Sequence, residues 1–477
     1  MLQISEKEIK KRLLFDNPWW ENEEQIDERF NKMPRRSYFE LFFDLITDKS
    51  VNRALILMGP RRVGKTVMVY HAIQRLINEG LKPTQILYLS IETPVYTGLS
   101  LEQLVNFFQE LHNHQRKDAL VIFFDEIQYL KNWEIHLKSL VDSYPDYKFI
   151  ATGSAAAALR LKSIESGAGR FSNFILPPLT FAEYLRFIER EDELILTFFQ
   201  GQSNKEIDAI RNIYELNQEF INYLNYGGYP EAVFSKTIQL DSSQYIKSDI
   251  IDKVLLRDLP SLYGINDIQE LNRLFTTLAY NTGNEVSLES LSKSAGVAKN
   301  TLKRYLEYLE AAFLIKCINR IDRNAKHFQR ATSFKVYLTN PSMRAALFGF
   351  VTEEDEAMGA LTETALFSQW FHSEKIEQIY YARWKTGEVD LVYLRPDTQK
   401  PEWCVEVKWS DRIVNNLNEL SGLVQFIQEN GLVQTSVTTK TITDLSSING
   451  IMIRFQPIAE MIYLLGKNII NNKIKPS

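Results

Sequence analysis

RALILMGPRRVGKT, residues 53–66, decides how this chain is read. An apolar run of buried-strand length ends in Gly59-Pro60-Arg61-Arg62-Val63-Gly64-Lys65-Thr66, which fits the pattern G-x-x-x-x-G-K-[ST] at every position. A helical stretch, VMVYHAIQRLI, follows at once. The chemistry explains the spacing. Glycines let backbone N–H groups curl around a phosphate chain, and the helix N-terminus behind them adds its dipole. Lys65 is expected to reach the β- and γ-phosphates of ATP as a point charge, and Thr66 to ligate Mg²⁺.

Working outward, QILYLSI (85–91), ALVIFFDE (119–126) and YKFIATGS (147–154) are further runs of buried-strand length. Amphipathic stretches lie between them. Buried strands alternating with helices predict an α/β fold with a doubly wound parallel sheet. In LVIFFDEIQYL the strand delivers Asp125 to the sheet's C-terminal edge to hold Mg²⁺. Glu126 is then placed to orient or deprotonate the attacking water. Thr152 and Ser154, ending the next strand, are candidates for sensing the γ-phosphate, against plain strand-end capping. Arg170, on the glycine-flanked loop SGAGRFS, is a candidate arginine finger, in cis or from a neighbouring subunit, against a solvent-facing arginine.

The texts GPRRVGKT, FFDEIQYLKNWE, ATGSAAAAL, ESGAGRFSNFILPPLTFAEYL and LNYGGYPEAVF together resemble a group of prokaryotic AAA-type ATPases. These are related to the archaeal-type and STAND ATPases and carry a C-terminal domain of unknown function. The resemblance covers nearly the whole chain and is specific in its first half. It implies an AAA-type P-loop core and marks Arg170 as the finger. Tyr129-Leu130-Lys131-Asn132 stands where the family more often has a proline-containing turn, a departure that touches no catalytic position.

A second constellation lies near the C-terminus. Glu363 sits in the helical text LTETALFSQWF, Asp390 in TGEVDLVYL, and Glu406 and Lys408 in WCVEVKWS. Residues two apart on a strand face one side, so Glu406 and Lys408 point together. In this order the four groups resemble the restriction-endonuclease-like core. That resemblance implies Asp390 and Glu406 on one or two Mg²⁺, Glu363 completing the shell, and Lys408 positioning water or neutralising a phosphate. Fold does not establish cutting.

Between these lies SLESLSKSAGVAKNTLKRYLEYLEAAFLIKCI (287–318), helix-turn-helix spacing turning at Ala295-Gly296. IKCINRIDRN and FKVYLTN are expected to pair as a wing. Lys293, Lys299, Lys303, Arg304, Lys316, Arg320, Arg323, Lys326, Arg330 and Lys335 are set there against only Glu307, Glu310 and Asp322. In a chain of net charge −5 this is the natural patch for DNA, against lysines that are merely solvated.

At 477 residues the chain calls for several cores, and 45% hydrophobic with 24% charged residues supplies them. Two distant cysteines, Cys317 and Cys404, exclude a disulfide scaffold and a zinc ribbon. No signal-like or bilayer-length apolar run occurs, so the expected compartment is the cytoplasm, with no membrane partner. The expected division is 1–179, an AAA-type core with a helical lead-in; 180–260, a helical lid; 261–350, a winged-helix-like module; and 351–477, the restriction-endonuclease-like domain. The expected function is ATP hydrolysis coupled to DNA binding and metal-dependent cleavage. The alternative is a nucleotide-dependent switch whose C-terminal domain binds a protein partner and is not a nuclease. A homo-oligomer is compatible with both.

Overall fold

The computed structural model describes residues 5–21, 25–153, 169–200, 205–265, 267–326 and 333–474. It divides into two compact units, Met1–Pro177 and Pro178–Ser477.

In the first unit, five parallel strands, β1 (Ala54–Met58), β2 (Ile86–Ser90), β3 (Val121–Asp125), β4 (Lys148–Gly153) and β5 (Phe171–Ile175), lie in the order β2-β3-β4-β1-β5. Every residue of ALILM in β1 is buried, as a central parallel strand covered on both faces requires. Helix α2 (Lys65–Asn78) leaves the loop after β1, and α3 (Leu101–His112) and α4 (Trp133–Ser143) make the next crossovers. Because all five strands run the same way, the ends of β1, β3 and β4 meet on one edge of the sheet.

The helical lead-in has a task that its sequence does not announce. Strand β2 is an edge strand, with backbone groups facing away from β3. Behind α1 (Glu6–Asp16), the fully buried Asn17 accepts from the Tyr88 amide (2.6 Å) and donates to the Tyr88 carbonyl (3.0 Å). The indoles of Trp19 and Trp20 donate to the Ile86 carbonyl at 3.3 and 2.9 Å. Side chains thus satisfy the edge that another strand would otherwise pair.

The second unit opens with α5 (Phe181–Phe187). Where the sequence predicts helix throughout, an antiparallel pair intervenes, β6 (Ile195–Gln200) with β7 (Lys205–Ile210). Its β-forming residues follow acidic helix-like text, which hides the change of period. Helix α6 (Ile213–Tyr226) and a run of short helical and π-helical turns through Tyr263 follow. Next come α7 (Ile268–Tyr280), β8 (Glu285–Ser287), α8 (Leu288–Ala295), α9 (Lys299–Ala311), β9 (Ile315–Ile321) and β10 (Ser333–Leu338). Gly296, left-handed at φ 71°, makes the turn after α8, and β10 pairs antiparallel with both β8 and β9.

The remaining elements are α10 (Met358–Gln369), β11 (Ile379–Trp384), β12 (Gly387–Leu394), β13 (Pro401–Glu406), α11 (Ser421–Glu429), β14 (Gln434–Thr439), β15 (Asp444–Ile448), β16 (Ile451–Pro457) and α12 (Ile458–Ile474). Strands β11, β12 and β13 are antiparallel neighbours, and β14 joins β13 in parallel. Helix α10 and α12 cover one face with Leu361, Ala365, Ile458 and Ile462. Helix α11 covers the other, packing Leu423, Phe426 and Ile427 on Val392, Val437 and Phe455. Strand β11 also runs parallel to β9, through Tyr381–Arg320 and Ala382–Ile321. One nine-stranded sheet, β15-β16-β14-β13-β12-β11-β9-β10-β8, therefore crosses residue 350. Among the described residues no helix is long and apolar enough to cross a membrane.

Replacing Asn17 by Ala leaves the amide and carbonyl of Tyr88 buried without partners. The expected cost is about 2 kcal/mol, read as a lower denaturant midpoint for the first unit, and an unchanged midpoint would refute the edge-capping role.

Candidate functional site

The phosphate loop leaves β1 with its backbone arranged for an anion. Gly64 is left-handed (φ 93°), as is Arg62 (φ 65°). Gly59 has no room for a side chain, since a Cβ would lie 2.2 Å from the Leu176 carbonyl oxygen. Buried Arg36, which the sequence reading passed over, fastens the loop from behind. Its guanidinium donates to the carbonyls of Val63 (2.7 Å) and Pro177 (2.9 Å). Arg61 donates to the Tyr129 hydroxyl at 3.1 Å. The Lys65 ammonium is turned onto the loop itself, donating to the carbonyls of Gly59 (3.1 Å) and Pro60 (2.7 Å).

Asp125 is 3% exposed and surrounded by hydroxyls. Thr66 donates to its Oδ2 at 2.8 Å and Tyr88 to the same oxygen at 2.9 Å, while Thr152 donates to Oδ1. Burial, and then the charge of Glu126, push Asp125 above the usual carboxylate range, and the three hydroxyls pull against that shift. Thr152 does more than the strand-end reading allows, for it also accepts the Glu126 amide at 3.1 Å. One hydroxyl thus holds both acids, with Glu126 itself in the left-handed region at φ 54°. The Glu126 carboxylate accepts from Gln128. The expectation of Thr152 as a γ-phosphate sensor gives way to this role, because its hydroxyl already donates to the Asp125 carboxylate and accepts the Glu126 amide. Ser154 lies outside the described residues.

Arg170 requires a correction. Its carbonyl accepts the Ala54 amide, and Ala54 pairs with Phe171 at the start of β1. The phosphate loop leaves the other end of that strand, some five residues or about 16 Å away. Arg170 is ion-paired with Asp142 at 2.5 Å on this far edge. It does not act as a finger in cis.

In the second unit, Glu363, Asp390, Glu406 and Lys408 do come together, and they meet a residue from elsewhere. Lys335, assigned by its sequence neighbourhood to a basic surface patch, is 3% exposed. It enters from β10 and lies 2.8 Å from Glu363, 2.8 Å from Glu388 and 3.3 Å from Asp390. Burial works against its charge, yet Glu363, Tyr337 and Asp390 raise it well above the usual lysine value. Lys408 pairs with Glu406 at 2.7 Å and reaches Asp390 at 4.0 Å. Asp390 Oδ2 also accepts the Val407 amide at 2.9 Å.

The two lysines divide the carboxylates. Glu363, expected in a metal shell, is instead engaged by Lys335 and by the Tyr337 hydroxyl, which donates at 2.5 Å. Among the described residues no three His, Cys, Asp or Glu side chains form a metal-ligand group. What fits a divalent ion is the pair Asp390 and Glu406, hard oxygen donors of which Glu406 Oε2 is buried without a hydrogen-bond partner. Burial, then the Asp390 charge, push Glu406 up to about 8, and burial pushes Glu363 up to about 7.

The basic stretch is also less bare than it reads. Lys293 pairs with Glu289 (3.0 Å), Lys316 with Glu377 (3.0 Å) and Arg323 with Glu429 (2.6 Å), and Arg320 lies 3.8 Å from Glu285. Lys299, Lys303 and Arg304 on α9 and Lys326 beyond β9 are exposed; Arg330 lies outside the described residues.

Residues 51–185 match the model of the AAA domain, and residues 217–354 match a domain of unknown function (DUF8612). The first unit thus carries an AAA-type P-loop domain. Two uncharacterized proteins of Methanocaldococcus jannaschii are each 24% identical to the chain. One alignment covers 78% of this chain and 80% of the relative, the other 76% of each. An uncharacterized protein of Haemophilus influenzae is 25% identical, over 66% of this chain and 73% of its own. The Hsp104–ADP complex of S. cerevisiae is 14% identical with a TM-score of 0.30, covering 62% of this chain and 40% of that one, a likeness too weak to bear on the fold.

Thr152→Val keeps the shape and removes the hydroxyl that holds both acids. Nucleotide affinity should stay within about twofold while steady-state ATP turnover falls about tenfold or more; turnover equal to the parent protein refutes the arrangement.

The raised carboxyls also make stability depend on pH. Between the ordinary value of 4.5 and about 8 the folded chain keeps a Glu406 proton that the unfolded chain has released. That contribution is complete at low pH and lost as pH rises. In metal-free buffer the melting temperature should fall between about pH 5 and 8, with a shallower slope in Glu406→Gln. An equal slope in the variant would assign the dependence elsewhere.

Proposed function

We propose that the chain hydrolyses ATP in its first unit and that its second unit binds DNA and cleaves a phosphodiester with a divalent ion at Asp390 and Glu406. The observation that carries the first half is the Thr66–Asp125–Thr152 network behind an intact phosphate loop. Backbone amides of residues 59–66 would bind the β- and γ-phosphates, and Lys65 would exchange its loop carbonyls for phosphate oxygens. Thr66 and Asp125, already paired, would hold Mg²⁺, which supplies charge neutralisation when bound. Glu126 takes the proton of the water that bonds to the γ-phosphorus as the β–γ bridge breaks. Arg170, placed on the far edge of its own sheet, is proposed as a finger toward a second copy in a homo-oligomer.

In the second unit, helix, short strand, two helices around a glycine turn and an antiparallel ribbon form the element order expected of a winged helix. Lys299, Lys303 and Arg304 would contact DNA phosphates from α9. Helix α10, three antiparallel strands, α11 and a parallel fourth strand support the restriction-endonuclease-like reading, with Lys408 beside the carboxylates. An ion held by Asp390 and Glu406 would supply water activation, and Lys408 would neutralise the phosphate as the water oxygen bonds to phosphorus, one P–O ester bond breaks and the leaving oxygen takes a proton from solvent. A second reading, a nucleotide-dependent switch for a protein partner, is favoured by one observation: the two lysines already pair with the carboxylates without an ion.

Supercoiled plasmid with Mg²⁺ or Mn²⁺, with and without ATP, separates the two. Nicking that is lost in Lys408→Ala, and gated by Lys65→Ala, is the expected result. Intact plasmid beside normal ATP turnover would remove the nuclease and leave the switch. Neutralising Lys299, Lys303 and Arg304 together should weaken DNA binding about tenfold or more and flatten its salt dependence.

A further inference from the structure

Lys335 belongs to no motif in the chain, yet it is the most enclosed charge of the second site. Its ammonium lies within 3.3 Å of three carboxylates from two elements, Glu363 on α10 and Glu388 and Asp390 on β12. The Tyr381 ring stands 5.4 Å away as a further cation-binding face. A lysine with 3% exposure among three carboxylates is neither solvated nor available to DNA. It does what a bound cation does, cancelling charge that could not otherwise be buried. Asp390 is shared. Its Oδ1 faces Lys335 at 3.3 Å, while its Oδ2 receives the Val407 amide and lies 4.0 Å from Lys408. The unpartnered buried oxygen, Glu406 Oε2, belongs to the carboxylate that Lys335 does not pair with.

We propose that Lys335 is the resident cation of this carboxylate cluster, standing where a second divalent ion would otherwise sit and limiting the site to a single divalent ion held by Asp390 and Glu406. This rests on the metal-site reading above, and makes Lys335 a positioning residue supplied by the ribbon next to the helix-turn-helix. Two-ion sites bridge both ions with a shared carboxylate. Here Asp390 is that shared group, and one of the two positions is filled by the chain itself.

The test is Mn²⁺ stoichiometry on the full-length chain by calorimetry and spin counting, without nucleotide and in an Asp125→Ala background that silences the phosphate-loop site. One Mn²⁺ per chain, lost in Asp390→Ala, is expected for Lys335 intact. Lys335→Met should take two, and Mn²⁺ should raise its melting temperature more than that of the parent. Lys335→Arg, which keeps the charge, should stay at one. Should Lys335→Met fail to fold, Lys335→Met/Glu363→Gln removes one charge of each sign, and is expected to fold and take a second, weaker ion. Unchanged stoichiometry and affinity in the folded Lys335→Met variants, or two ions in the parent, overturns the role of Lys335 and leaves the metal site standing. No Mn²⁺ in the parent or in any lysine variant overturns both.

Discussion

A carboxylate cannot be buried without donors or a counter-charge, and both candidate sites are organised around that constraint. At Asp125 the solution is neutral. Three hydroxyls, from α2, β2 and β4, converge on one carboxylate, which ties the phosphate-loop helix to two strands of the sheet. At Asp390 the solution is ionic, with Lys335 on one oxygen and a backbone amide and Lys408 toward the other. A neutral cage leaves the full charge of Asp125 for an incoming Mg²⁺. An ionic cage has spent part of its charge before any ion arrives.

The difference bears on what the two halves of the chain do. The first unit carries an AAA-type domain in which the loop helix, the acid pair and the supporting hydroxyls are joined by hydrogen bonds. The second brings Glu363, Asp390, Glu406 and Lys408 together, then inserts a lysine that the pattern did not contain. A partly self-neutralised site is poised either to take one ion weakly or to hold its charges for rigidity alone. Its working state is decided by what competes with the lysines.

How much of this was legible follows from the range of the interactions. The phosphate loop and the strand ending in Asp125 are local patterns, readable because backbone geometry dictates residue type within a few positions. The pairing of Glu406 with Lys408 is equally local, with the lysine two positions beyond Glu406, where the strand ends. Arg36 and Tyr88 were not legible, since each acts through partners 27 or more positions away and neither stands in a motif. Lys335 was misread for the same reason. It was grouped with the basic residues of the stretch, although its own strand is buried and its spatial partners Glu363 and Asp390 lie 28 and 55 positions further on. Arg170 is a different case. Its loop was recognised, but strand direction, which only the sheet reveals, puts it on the edge remote from the phosphate loop. Edge capping by Asn17, Trp19 and Trp20 left no signal beyond two buried-looking tryptophans.

The nine-stranded sheet has an uneven grain. Among the described residues four of its eight joints share five or six rungs, while two share only two: β13 with β14 and, where the ribbon meets the rest of the sheet, β9 with β11. A pull on the ribbon would be shared between those two rungs and side-chain links across the same seam, among them the Lys335 ion pairs and the bond from the Tyr381 hydroxyl to Glu285. The lysine is then a tether as much as a charge. Straining the seam would draw the ammonium away from Asp390, so that a thinly paired joint and its electrostatic lock would yield together.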